Sequence, residues 1–140
     1  MVNPLRGITG IIAGLLLAAA TAAAEPEPAK LTSLRLGLHG EATRIVLDMT
    51  APDVPSRYRL SDDQKALLIE TQALPDNLRL PARLGLVRTI TTRPIEGDFA
   101  TELVFTAAAP LAIVDVGALT PDEAHQSYRL YVDLAPAVTP

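Results

Sequence analysis

Arginine is the side chain in this sequence with the clearest chemical potential. From Glu25 onward the chain has nine arginines and only two lysines, Lys30 and Lys65. Arg35, Arg44, Arg57, Arg59, Arg88 and Arg93 all fall on or beside short runs that read as β-strands. A guanidinium is a planar fork that grips a carboxylate through two parallel hydrogen bonds, which an ammonium cannot do. A row of such forks on an open sheet face could hold an acidic polymer. The same six residues also suit a solvated sheet face, with each arginine paired to a neighbouring carboxylate.

Other chemistry is sparse. The two histidines, His39 and His125, lie in unrelated loop contexts and form no metal-ligand spacing. A hydrolytic zinc site usually takes three protein ligands, so these two and a carboxylate would serve only if the loops met. None of Ser33, Ser56, Ser61 and Ser127 sits in a nucleophile-elbow motif. Asp62-Asp63 and Asp122-Glu123 are adjacent carboxylates, a pattern suited to turns and caps rather than to acid–base pairs. No glycine-rich phosphate loop is present, and with no cysteine there is neither a disulfide nor a thiolate metal site. We therefore expect no catalytic, metal or cofactor site.

The elements that must position the arginines are strands. Runs of four to eight residues with period-two alternation are separated by Gly, Pro, Asp or Ser. The second half echoes the first. Thr43-Arg-Ile-Val-Leu-Asp-Met-Thr-Ala-Pro52 aligns without a gap on Thr101-Glu-Leu-Val-Phe-Thr-Ala-Ala-Ala-Pro110. Leu67-Leu-Ile-Glu70 matches Leu130-Tyr-Val-Asp133, and residues 31–38 match residues 86–92. This predicts two copies of a four-stranded unit, about eight strands in all. One unit cannot bury its apolar face alone; two, set face to face, form an all-β sandwich. Residues 74–85 link the halves and contain Pro75 and Pro81, so they hold at most one helical turn. Thr120-Pro-Asp-Glu123 reads as a turn or one short helix.

Alternation also sorts the faces. Ile45, Leu47, Leu103, Phe105, Val132 and Leu130 should point into the core, where Leu47 or Phe105 contributes about 1.5–3 kcal/mol by burial. Arg44 and Asp48 should be solvated on the outer face.

The amino terminus reads as an export signal. Arg6 is followed by no charge from Gly7 to Ala24, an apolar stretch softens into alanine, and Ala22-Ala23-Ala24 precedes Glu25. That is the order of a cleavable signal peptide, residues 1–24, although 18 uncharged residues also approach a membrane span. A proline-containing spacer, residues 25–30, follows. Without Arg6 the chain has 11 basic and 16 acidic residues, a net charge of −5, which argues against a nucleic-acid partner. Contact with a membrane is expected only during export.

The motifs Thr43-Arg-Ile-Val-Leu-Asp48, Tyr58-Arg-Leu60 and Leu68-Ile-Glu70, echoed by Tyr128-Arg-Leu-Tyr-Val-Asp-Leu134, resemble the AMIN domain over about residues 31–135. The resemblance implies a β-sandwich of two related halves. AMIN domains stand at the front of periplasmic N-acetylmuramoyl-L-alanine amidases and in type IV pilus secretins, which they localise by binding peptidoglycan, often at the division site. It therefore implies a periplasmic peptidoglycan-binding module. In the amidases a zinc-dependent catalytic domain follows. Here residues 136–140 read as a tail or the start of a linker, so the expectation is a free-standing module or the non-catalytic front part of an amidase. The alternative is a protein-interaction module that docks a divisome, pilus or secretion component through a strand or sheet face.

Overall fold

The computed structural model describes residues 27–138. The expected signal peptide and the first residues of the spacer lie outside them. Every regular element among the described residues is a strand: β1 (Lys30–His39), β2 (Ala42–Met49), β3 (Ser56–Leu60), β4 (Ala66–Thr71), β5 (Leu74–Pro75), β6 (Thr89–Pro94), β7 (Thr101–Thr106), β8 (Leu111–Leu119) and β9 (Tyr128–Pro136). They form a five-stranded sheet of order β5-β1-β2-β9-β8 and a four-stranded sheet of order β3-β4-β7-β6. The fold is a β-sandwich, as the alternation predicted. The ninth strand is β5, two residues that pair in parallel with the start of β1. It lies in the link between the halves, where the prolines leave no helix. The stretch after Thr120 forms bends, not a helix.

The halves are not stacked one sheet against the other. The β1–β2 hairpin of the first half joins the β8–β9 hairpin of the second in one sheet. The β3–β4 hairpin joins β6–β7 in the other. Each half crosses from sheet to sheet after its second strand, through the proline-bearing residues 50–55 and 107–110. The central pairings, β2 with β9 and β4 with β7, therefore always join one half to the other, and neither half closes without its partner.

The register carries the duplication through. Ile45 stands opposite Val132 and Leu47 opposite Leu130. Leu103 stands opposite Ile69 and Phe105 opposite Leu67. The gapless sequence match equates Ile45 with Leu103, Leu47 with Phe105, Val132 with Ile69 and Leu130 with Leu67. One central pairing thus maps onto the other residue for residue.

The core is the alternate set on these four strands. Ile45, Leu47, Leu67, Ile69, Leu103, Phe105, Val132 and Leu134 are fully buried, and Leu130 packs partly buried against them. The six core positions expected from alternation all face inward. A bulge at residues 31–33 in β1 and another at residues 113–115 in β8 reset the alternation near the sheet edges.

Candidate binding face

Each sheet turns an outer face to solvent, and the six candidate arginines are divided between them. On the five-stranded sheet, Arg35 holds Asp48 through Nε at 2.9 Å and Nη2 at 3.0 Å. Arg44, directly opposite Asp133, grips it through Nε at 2.8 Å and Nη2 at 2.9 Å. The Arg44 guanidinium lies 4.2 Å from the centre of the Tyr131 ring. The Tyr131 hydroxyl donates to Asp115 at 3.0 Å. The ring reaches across β8 because Gly117 stands opposite it, where a Cβ would meet the ring at 2.6 Å.

These contacts set the protonation of the groups involved. The hydrogen bond from Arg44 holds the Asp133 carboxyl below the usual carboxylate range against the opposing effect of burial. Burial pushes Asp48 upward, but hydrogen bonds from Arg35 and Ser127 outweigh it and leave the group below its ordinary value. Asp133 raises Arg44, and Asp115 raises the Tyr131 phenol. The solvated Arg44 and Asp48 expected from alternation are not found. Both lie on the outer face, but Asp48 is buried and Arg44 is only partly exposed. Asp48 is enclosed by its hydrogen bonds from Arg35 and Ser127, and Arg44 is held between Asp133 and the Tyr131 ring. This face is largely self-neutralised.

The four-stranded sheet differs. One cross-strand row runs Arg93–Glu102–Glu70–Arg57 over all four strands, each residue directly opposite the next. The two glutamates are central and adjacent, and the arginines stand on the edge strands. Arg57 donates to Glu70 Oε1 through Nη2 at 2.7 Å and Nε at 3.0 Å, and Arg59 Nε lies 3.6 Å from the same oxygen. Arg93 donates through Nε to Glu102 Oε1 at 2.7 Å. Hydrogen bonding from Arg57 holds the Glu70 carboxyl below its ordinary value.

Exposure separates the two kinds of charge. The Arg57, Arg59 and Arg93 side chains are 58%, 52% and 68% exposed, whereas Glu70 and Glu102 are 12% and 7% exposed. The carboxylates form a covered floor and the guanidiniums a projecting rim, with three positive charges against two negative. Leu68 and Val104, opposite each other in the next row, add an apolar strip. The Phe99 ring lies 5.2 Å from the Arg57 guanidinium. This surface suits a ligand that offers carboxylates together with small apolar groups.

The structure thus gathers three of the six candidates, Arg57, Arg59 and Arg93, on one face. Arg35 and Arg44 belong to the opposite face. Arg88 stands apart, beside a tight turn before β6, and has no ion pair among the described residues. The carboxylates Glu70, Glu102, Asp48 and Asp133 are the ion-pair partners of the other five candidates, and the arginine pattern alone did not single them out. Asp48 and Glu70 close two of the motifs and Asp133 stands one residue before the end of a third, whereas Glu102 takes the place of Arg44 in the repeat and carried no motif signal.

The remaining polar residues have local duties. Asp63 accepts from the Lys65 amide and Asp122 from the amides of Ala124 and His125. Arg129 is nearly buried under the loop before β9, where its Nη2 donates to the Thr120 carbonyl and to Asp122. No group of three or more His, Cys, Asp or Glu among the described residues is arranged to hold a metal ion. Compared with models of known protein families and with curated proteins, the chain matches none.

Proposed function

We propose that this chain is a periplasmic AMIN-like module that binds peptidoglycan and thereby localises a cell-wall protein, without catalysis of its own. The binding face is the outer surface of the four-stranded sheet. The observation that carries the reading is the segregation of charge there: three projecting guanidiniums above two covered carboxylates. Peptidoglycan stem peptides offer free carboxylates and small alanyl side chains, which match the rim and the Leu68–Val104 strip. The sandwich of two related halves supports the same reading, as do the Thr-Arg and Tyr-Arg-Leu motifs at its strand ends. Co-sedimentation with purified sacculi tests it. Retention above that of a non-binding β-domain is expected, and its absence overturns the proposal.

A second reading, docking of an envelope protein, is favoured by β8. The other sheet edges are guarded: β3 carries Arg57 and Arg59, β6 ends in Arg93 and Pro94, and β1 is partly covered by β5. The edge strand β8 is nine residues long, exposes Val114, Val116 and Leu119, and carries Asp115 as its one charge. Such an edge can accept a strand from another protein. Crosslinking from β8 to a partner, with sacculus binding absent, would favour this reading over the first.

A further inference from the structure

Six of the nine arginines after residue 25 are held in ion pairs: Arg35, Arg44, Arg57, Arg59, Arg93 and Arg129. Arg79, Arg83 and Arg88 have no ion pair among the described residues, and all three lie between β5 and β6. Arg83 and Arg88 line one open cleft of about 430 Å³ together with Leu84, Gly85 and Val87. In a chain whose acidic residues outnumber its basic ones, these are the arginines left without an internal counter-ion among the described residues; Lys30, on β1, and Lys65, just before β4, also have none.

The turn that presents these arginines is firmly built. The Val87 amide donates to the Leu84 carbonyl at 3.1 Å, the Arg88 amide to the Thr106 carbonyl at 2.7 Å, and the Leu86 amide to Thr43 Oγ1 at 3.0 Å. Val87 is buried. Gly85 has φ +58°, and a Cβ there would run into the Thr43 side chain and Leu38. The turn therefore sits against the end of the β1–β2 hairpin. Beside it, Leu38 is 67% exposed and Leu84 38%. The hairpin end also carries exposed His39 and Glu41, neither in an ion pair among the described residues.

We propose that this turn docks on an anionic phospholipid surface. Arg83 and Arg88 take lipid phosphates, and Leu38 and Leu84 enter the headgroup layer. Guanidiniums match phosphate oxygens in a bidentate way, and a rigid cationic surface with projecting leucines has the character of an interfacial anchor. A soluble phosphate would use the arginines but leave the leucines in water, so their placement selects the lipid source. The turn shares no residue with the face of Arg57, Arg59 and Arg93, so the two proposals can fail separately.

The test needs a local readout, because residues 7–24 are apolar and can bind vesicles by themselves. The chain contains no tryptophan, so Leu84→Trp in the full chain supplies a single fluorophore at the turn. A second variant, Leu119→Trp, places it at the other end of the five-stranded sheet by register. Vesicles containing phosphatidylglycerol should blue-shift the emission of Leu84→Trp and leave Leu119→Trp unchanged, and purely zwitterionic vesicles should shift neither. Adding Arg83→Gln and Arg88→Gln, both exposed positions, should weaken the apparent partition about thirtyfold. No shift at position 84, an equal shift at position 119, or a shift that survives loss of both arginines would overturn the proposal. A saturable response of the same fluorophore to inorganic phosphate alone would replace the lipid surface with a soluble-phosphate site.

Discussion

Glu70 and Glu102 stand directly opposite each other on β4 and β7, at the positions where the internal two-fold relation puts Asp133 and Arg44 on β9 and β2. One half of the symmetry holds an ion pair at this point and the other holds two like charges. Like charges directly opposite in a sheet are destabilising. Arg57 and Arg93, supplied by the edge strands, offset the repulsion. The glutamates draw each Nε edge down to the sheet, and the rest of the guanidinium projects from the rim. This asymmetry between the two sheets sets the outer face of the four-stranded sheet, the proposed binding surface, apart from the other.

Replacing either side of this relationship should have unequal effects. Asp133→Asn leaves Arg44 partly covered and without its bidentate partner, and should cost about 2 kcal/mol, in the range for a hydrogen bond to a charged group. Glu102→Gln removes a repulsion along with an exposed arginine's partner, and should cost less than about 1 kcal/mol. Urea unfolding of both variants checks the ordering; an equal or reversed ordering would contradict it.

Gly117→Ala should dislodge Tyr131. Its Cβ would meet ring and hydroxyl atoms at 2.6 Å, so the ring must leave β8 and lose Asp115. The expected loss is about 1–2 kcal/mol of stability. The Tyr131 phenol, now held above 10.0 by the Asp115 hydrogen bond, should titrate closer to that value. A carbon-13 titration of labelled tyrosine reads this directly.

The core equivalents Leu47 and Phe105 should both be severe sites. Leu47→Ala should cost about 2–5 kcal/mol and Phe105→Ala about 3–5 kcal/mol. The two occupy related positions in opposite sheets, so neither sheet should survive loss of the other. Circular dichroism and amide exchange should report one cooperative transition in each variant, not a residual half-domain.

Acid should destabilise the fold through its paired carboxylates. Asp48, Asp133 and Glu70 all titrate below their ordinary values of 3.8, 3.8 and 4.5 in the folded chain. A depressed folded value gives stability that is present above the unfolded value and lost as pH falls through the folded one. The urea midpoint should therefore hold steady from pH 7 to about 5 and fall below about pH 4.5. Asp133→Asn should flatten that fall. A midpoint that rises on acidification would contradict the assignment of these pairs.

Much of the fold was legible because alternation is a local property. The side chains of Ile45 and Leu47, or of Leu103 and Phe105, share a face whatever their strand pairs with. The gapless match between the halves likewise needed no knowledge of contacts. Pairing is non-local, and that is where reading along the chain stopped. Arg44 and Asp133 are 89 positions apart, and nothing near Arg44 names its partner. For the same reason the halves read as two stacked units, whereas each contributes one hairpin to each sheet. The arginines were recognisable as strand residues, but their division between two faces follows from sheet order. Asp48 lies on the outer face as alternation requires and yet is buried, because Arg35 on β1 and Ser127 just before β9 hydrogen-bond its carboxylate. Alternation gives the direction of a side chain and not what covers it.

Retention of the chain by purified sacculi, measured side by side with a variant carrying Arg57→Gln, Arg59→Gln and Arg93→Gln, tests the central claim most directly. All three side chains are more than half exposed, but losing them leaves Glu70 and Glu102 opposed without their partners and should lower stability. The unfolding midpoint is therefore measured first, to establish that the variant is folded under the assay conditions. The wild-type chain should be retained, and the variant's affinity should drop at least about tenfold, the loss of one or two charge-assisted hydrogen bonds. Equal retention of a folded triple variant would contradict the assignment of this face, and no retention of the wild-type chain would contradict the function itself.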